Sequence, residues 1–144
     1  MMAGTSRLEN ADSREYWKAA REGRLLLQRC SACGVTHFPP RSHCVSCWNS
    51  QLEWREASGL GTVESMTVVH RAATPAFRAR APYVVAAILL QEGPRMITNL
   101  VGDGAIGAEL GAPVRVVFVA EDSGEILPQF QLVGRPATLK PPRE

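Results

Sequence analysis

A chain of 144 residues, 45% of them hydrophobic and 21% charged, has the composition of a globular protein built as one ordinary domain or two small units. Its longest apolar run, VVAAILL at 84–90, falls well short of the ~20 residues that a membrane-spanning helix needs, and its opening stretch, MMAGTSRLENADSREYW, lacks the apolar centre of a signal peptide, so a cytoplasmic protein with no membrane partner is expected. The net charge of +2 comes from residues 1–50, with seven Lys/Arg against four Asp/Glu; residues 51–144 have nine against ten, which is not the basic stripe of a nucleic-acid binder.

Residues 1–24 read as an N-terminal segment with one short helix. In ADSREYWKAAREGRL (11–25), Ser13 is placed to cap the helix, Glu15 falls in the first turn and Gly23 is a stop signal. Tyr16, Ala19, Ala20 and Trp17 form the apolar stripe. LLLQRC (25–30) is a strand leading into a segment, 25–50, that holds every cysteine, with Pro39-Pro40 as an extended turn in its middle. From 51 the pattern changes to short strands with turn signals between them. LEWREAS (52–58) runs into Gly59 and Gly61, and GTVESMTVVHR (61–71) alternates through Val63, Ser65, Thr67 and Val69. YVVAAILLQEG (83–93) is a buried strand, PRMITNLVG (94–102) its hairpin partner, and PVRVVFVAED (113–122) and ILPQFQLVG (126–134) close the set. A mainly β protein follows, with a small five- to six-stranded barrel over 51–134, for which the OB-fold is the leading candidate. VGDGAIGAELG (101–111) has glycines but neither a following Lys-Ser/Thr nor a βαβ unit, so it is a loop between barrel strands rather than a phosphate loop. Residues 135–144, RPATLKPPRE, have the composition of a flexible tail.

The cysteines are Cys30, Cys33, Cys44 and Cys47, spaced Cys-x2-Cys-x10-Cys-x2-Cys. This is close to zinc-ribbon spacing: each pair sits on one tight turn, and two facing turns make a tetrahedron. Gly34 supplies the backbone freedom for the first turn. Residues 25–50 are too few to bury a core of their own, and a structural zinc ion contributes about 10–16 kcal/mol of apparent binding free energy in such modules. Disulfides conflict with the cytoplasm, and a redox Cys-x-x-Cys would want a βαβ context. Iron remains open beside zinc, because four thiolates suit both. Four thiolates leave no position for water, so the metal is structural, and His37 and His43 are left as surface or flanking residues.

The stretch HFPPRSHCVSCWNSQLEWREASGLGTVESMTVVH, with PYVVAAILLQEG and LPQF, resembles the acyl-CoA-associated OB-fold proteins, a family once catalogued as a domain of unknown function. The resemblance covers roughly residues 14–134, and its most telling pieces are Phe38-Pro39-Pro40-Arg41, Gly59-x-Gly61 and Pro82-Tyr83. It implies an N-terminal helix, a rubredoxin-like zinc ribbon and an OB barrel. It also implies a non-catalytic accessory subunit of a thiolase-superfamily enzyme (thiolase, ketoacyl-synthase-like or retro-aldolase), assembled two-plus-two, or a partner of a hotdog-fold enoyl-CoA hydratase. Two departures stand out: Cys44-Val45-Ser46-Cys47 lacks the proline common after the first cysteine, and Glu64 replaces a common aromatic.

A catalytic centre is not legible. The cysteines are committed to metal, and His70, outside the ribbon, has no carboxylate partner in sequence. HRAATPAFRARAPY (70–83) is more suggestive: Arg71, Arg78 and Arg80 around Phe77 suit the phosphates of an acyl-CoA ligand, against the plainer reading of a solvated loop or partner surface. Tyr16, Trp17, Phe38 and Trp48 read as exposed aromatics fit for a partner, Trp48 being the one expected simply to pack beside its knuckle. The two competing readings are a single-stranded nucleic-acid module, which 6% aromatics and the acidic second half argue against, and an independent acyl-CoA hydrolase, which lacks a nucleophile-base pair.

Overall fold

The computed structural model describes residues 9–134; the tail expected at 135–144 lies outside them. Helix α1 (Arg14–Arg21) is followed by strands β1 (Leu26–Cys30), β2 (Thr36–His37) and β3 (Leu52–Glu56). Then come β4 (Leu60–Val69), a single helical turn α2 (Pro75–Arg78), β5 (Tyr83–Leu90), β6 (Arg95–Val101), β7 (Pro113–Ala120) and β8 (Ile126–Leu132).

The ends of α1 show how local chemistry sets its bounds. Ser13 makes no side-chain cap to the helix. Asn10 does that work one turn earlier: its Oδ1 accepts the amides of Asp12 and Ser13 at 3.0 Å, and Ser13 Oγ accepts the Asn10 amide at 3.0 Å. This is the reciprocal arrangement of a capping box. At the other end the Gly23 amide donates to Ala20 and the Arg24 amide to Ala19, with Gly23 at φ +76°, the paired bonds of a Schellman stop.

β1 sits between β2 and β3 in a three-stranded antiparallel sheet. The strand expected at 52–58 therefore pairs with β1 in the ribbon's sheet and not within the barrel. The reason lies in register: all five residues of β1 have a partner on β3, from Leu26 with Glu56 to Cys30 with Leu52, so β3 is spent before the chain reaches Gly59.

The remaining five strands close a barrel in the order β4-β5-β6-β8-β7, with β7 returning to β4. All pairs are antiparallel except β6 with β8, which meet in parallel at Leu100–Phe130 and Val101–Gln131. This is the OB topology, and it abolishes free sheet edges. Gly59 and Gly61 lead into it because no larger residue fits. A Cβ on Gly59, at φ +77°, would stand 2.5 Å from Val116 Cγ1, and one on Gly61 would stand 2.6 Å from the Leu89 carbonyl oxygen.

The core is formed by Val63, Val84, Ala86, Ile88, Leu90, Met96, Leu100, Val114 and Phe130 inside the barrel, with Tyr16, Leu25 and Leu27 closing it from the helix and ribbon side. The alternation expected along β4 breaks at a bulge between Val63 and Ser65. Val63 faces inward before it and Met66 and Val68 face the core after it, because one extra residue reverses every following side chain. No described helix is long and apolar enough to cross a membrane.

Candidate functional site

The four cysteines converge. Their Sγ atoms all lie within 4.8 Å of one another, with Cys30–Cys47 at 3.5 Å and Cys33–Cys44 at 3.6 Å. Zinc–sulfur bonds of ~2.3 Å at tetrahedral angles put sulfurs about 3.8 Å apart, so the set fits a four-thiolate metal ion. Two similar turns build it. The Gly34 amide donates to the Cys30 carbonyl at 2.9 Å, and the Trp48 amide to the Cys44 carbonyl at 3.0 Å. Amides also reach the sulfurs, Cys33 N to Cys30 Sγ at 3.5 Å and Ser46 N to Cys44 Sγ at 3.4 Å.

These contacts divide the thiols. The Cys33 amide draws Cys30 down to about 6, and the Cys47 amide likewise lowers Cys44. At Cys47 the downward pull of the Asn49 amide is outweighed by the neighbouring sulfurs and by desolvation, which push it to about 12. Four sulfurs at this spacing share protons until a cation takes their place. Neither histidine belongs to the cluster. His43 is exposed and meets Ser42 Oγ at 3.0 Å, while His37 is buried on β2 opposite Gln28. Gln28 Oε1 in turn accepts the Arg41 amide at 2.7 Å, tying the Phe38–Arg41 stretch to β1.

The two turns differ at their left-handed position. The first has Gly34 at φ +75°; the second has Trp48 at φ +67°. A Cβ in that conformation costs roughly 1–2 kcal/mol. Trp48 is nonetheless 80% exposed, so the expectation that it packs beside the knuckle is wrong: the left-handed turn throws its side chain outward. The other three aromatics behave the opposite way. Tyr16 is buried and sits 5.6 Å from the Phe38 ring and 4.9 Å from that of Trp17, and Trp17 and Phe38 are half-buried against the core. They close the barrel and present no surface like that of Trp48.

The arginines of the 70–83 loop are divided between two faces. Arg78 Nε and Nη2 donate to the carbonyls of Ala72 and Ala73 at 3.2 and 3.1 Å, and with His70, Arg71 and Ala81 it lines one shallow concavity. Arg80 points elsewhere: it pairs with Glu121 at 2.6 Å and lies 5.5 Å over the Phe77 ring. His70 is exposed and forms no ion pair among the described residues. Glu64, at the β4 bulge, bonds Arg95 across the sheet.

Two family models match. The model described as the ChsH2 rubredoxin-like zinc ribbon covers residues 17–53, and that described as the ChsH2 C-terminal OB-fold domain covers residues 54–119. The chain is 34% identical over 113 residues to a DUF35 domain-containing scaffold protein of Methanocaldococcus jannaschii, covering 76% of this chain and 79% of that one. It is 39% identical over 122 residues, 85% of its own length, to a probable enoyl-CoA hydratase alpha subunit of Thermomonospora curvata, of which it spans only 38%. Among solved structures, a chain of the Ltp2-ChsH2(DUF35) aldolase matches with a TM-score of 0.78 and 38% identity, over 88% of this chain and 98% of that one.

Proposed function

This chain belongs to the DUF35 family, the zinc-ribbon and OB-fold proteins of ChsH2 type, and from that premise we propose that it is a non-catalytic accessory subunit of an acyl-CoA-processing enzyme of thiolase or aldolase type. It holds a thiolase-superfamily enzyme in a two-plus-two complex, and its 70–83 loop, with Arg71, Phe77, Arg78 and Arg80, borders the entrance for the CoA ester. The observation that carries the reading is the likeness, over nearly the whole of the matched chain, to a component of an aldolase complex. The surface supports it. Trp48 and Val45 stand exposed together on the second knuckle, and an exposed tryptophan on strained backbone is the kind of residue that anchors an interface. The catalytic resources support it too: the four thiols are gathered into one cluster suited to a metal ion, and His70 has no ion-paired carboxylate among the described residues, so neither supplies an activated nucleophile.

A second reading, partner of an enoyl-CoA hydratase, is favoured by the hydratase alpha subunit of Thermomonospora curvata. The match spans 38% of that subunit, so its name carries less to this chain than the aldolase likeness does. Co-expression with a thiolase-superfamily enzyme, followed by size-exclusion chromatography and assay, tests the proposal. Co-elution, with the enzyme less soluble or less active alone, is expected, and Trp48→Ala should weaken the complex at least tenfold. Separate elution at micromolar concentration, with full activity of the enzyme alone, overturns it; co-elution with a hydratase instead selects the second reading.

A further inference from the structure

On the outer face of the barrel, β6 and β8 lie side by side beneath the 70–83 loop and the turn after β7. They floor a cavity of about 300 Å³ bordered by Phe77, Arg80, Tyr83, Asn99, Val119 and Glu121. That volume is at the small end of the ~300–1,000 Å³ typical of small-molecule sites. Gln129 also lines it. It is 94% buried by its exposure of 6%, yet its carboxamide forms no hydrogen bond among the described residues. Its polar atoms are open to the cavity rather than sealed, since the buried side-chain nitrogens and oxygens without a partner among the described residues are those of His37, so the amide is free to meet a ligand or water there. Asn99 is half used: its Nδ2 donates to the Val84 carbonyl at 3.0 Å, which leaves Oδ1 as an acceptor.

The walls are aromatic. Phe77 and Tyr83 stand 5.9 Å apart at 46°, and the Arg80 guanidinium lies over Phe77. Glu121 answers the charge of Arg80 at 2.6 Å, with Asp122 at 3.9 Å. An anion therefore finds no unpaired cation here; a flat, uncharged ring finds stacking surfaces and an unpaired amide.

A carboxamide offers one donor and one acceptor side by side, which matches a heterocycle edge with the complementary pair, as when Gln or Asn reads adenine. We propose that this cavity is a binding site for the base of an adenine nucleotide, with Gln129 reading the amino edge and Phe77 and Tyr83 stacking on the ring. Phosphates would then lie outside it, toward the His70–Arg71–Arg78 concavity on the other side of the loop. This names the part of a CoA ester that the loop would hold, and to that extent rests on the reading above.

The test uses the full chain, zinc-loaded, with adenosine 3′,5′-diphosphate as probe, followed by calorimetry and by NMR of the side-chain amide of Gln129. Saturable binding that shifts this amide is expected. Gln129→Leu should weaken it about tenfold, the discrimination of one good bidentate pair (~1–3 kcal/mol), and Phe77→Ala, in an exposed turn, should weaken it severalfold without touching the barrel. The phosphate ester of purine riboside, which lacks the amino donor, should bind as weakly to the wild type as adenosine 3′,5′-diphosphate binds to Gln129→Leu. No binding at millimolar probe, or binding unchanged in both variants, overturns the site. So does a Gln129 signal that moves only when the partner enzyme is added, which would make the cavity a protein-docking surface. Co-elution with that enzyme is measured separately, so loss of the nucleotide site leaves the scaffold role standing, and the reverse.

Discussion

The ribbon and the barrel meet around Tyr16, Leu25 and Leu27 but are held by different physics. The barrel encloses its own core: Ile88 and Phe130 are fully buried, and five strands satisfy one another's backbone. The ribbon has three strands, one only two residues long, and its buried Cys30 and Cys44 face a cluster of sulfurs and not a packed interior. One unit is ordered by excluding water from hydrocarbon; the other gathers four sulfurs with which a metal ion would close a coordination sphere. The second kind of order is local, and it leaves a side chain such as Trp48 free to face outward.

This contrast can be broken from either side. Replacing one ligand, Cys44→Ser, leaves three thiolates around a cation and should remove most of the metal's contribution, which is about 10–16 kcal/mol in small zinc modules. Elemental analysis should fall from one zinc per chain to well under one. Hydrogen exchange should accelerate through β1–β3 while β4–β8 keep their protection; a ribbon equally protected without metal would deny the distinction. Phe130→Ala is the reciprocal experiment. It should cost about 3–5 kcal/mol as a core cavity, read as a lower urea midpoint for the barrel, with zinc stoichiometry unchanged under native conditions. Loss of zinc in step with loss of the barrel would mean that the two units fold as one.

The smallest expected effect sharpens the barrel side alone. Arg95, bonded to Glu64, holds that carboxyl below its ordinary value of 4.5. Because the folded value is the lower one, the pair's contribution is complete above the unfolded carboxylate range and disappears as pH falls through the folded value. Glu64→Gln should therefore lower Tm slightly at pH 7 and by less at pH 3, and the zinc content at pH 7 should not change. An equal difference at both pH values would show that the pair is not what the substitution removed.

What was legible in the sequence was legible where function and backbone depend on residue type at a fixed spacing. Two Cys-x-x-Cys pairs can form a tetrahedral site whatever surrounds them, and a glycine that must sit at positive φ, as Gly34 does, shows itself. Strands β4 to β8 follow from alternating and buried apolar runs, since period two is a property of the chain itself. Where one residue's role depends on which neighbour pairs with it, the sequence was silent. Ser13 looks like a cap until Asn10 is seen to take the role, and the bulge at Glu64 depends on how β4 meets β5.

The amino-acid sequence by itself thus determined a four-cysteine ribbon and a small barrel of five or six strands, because those rest on ligand spacing, hydrophobic period and glycine sterics, while the family showed itself through the resemblance of whole stretches such as Phe38-Pro39-Pro40-Arg41. Tertiary structure alone decided which aromatics are core and which is surface, that β3 belongs to the ribbon's sheet, and that Arg78 and Arg80 turn to opposite sides of one loop. It alone brought Gln129, fifty-two residues after Phe77 in the chain, into the same cavity. Burial and unmet hydrogen bonds are properties of what surrounds a side chain, and closing the barrel is what supplies those surroundings.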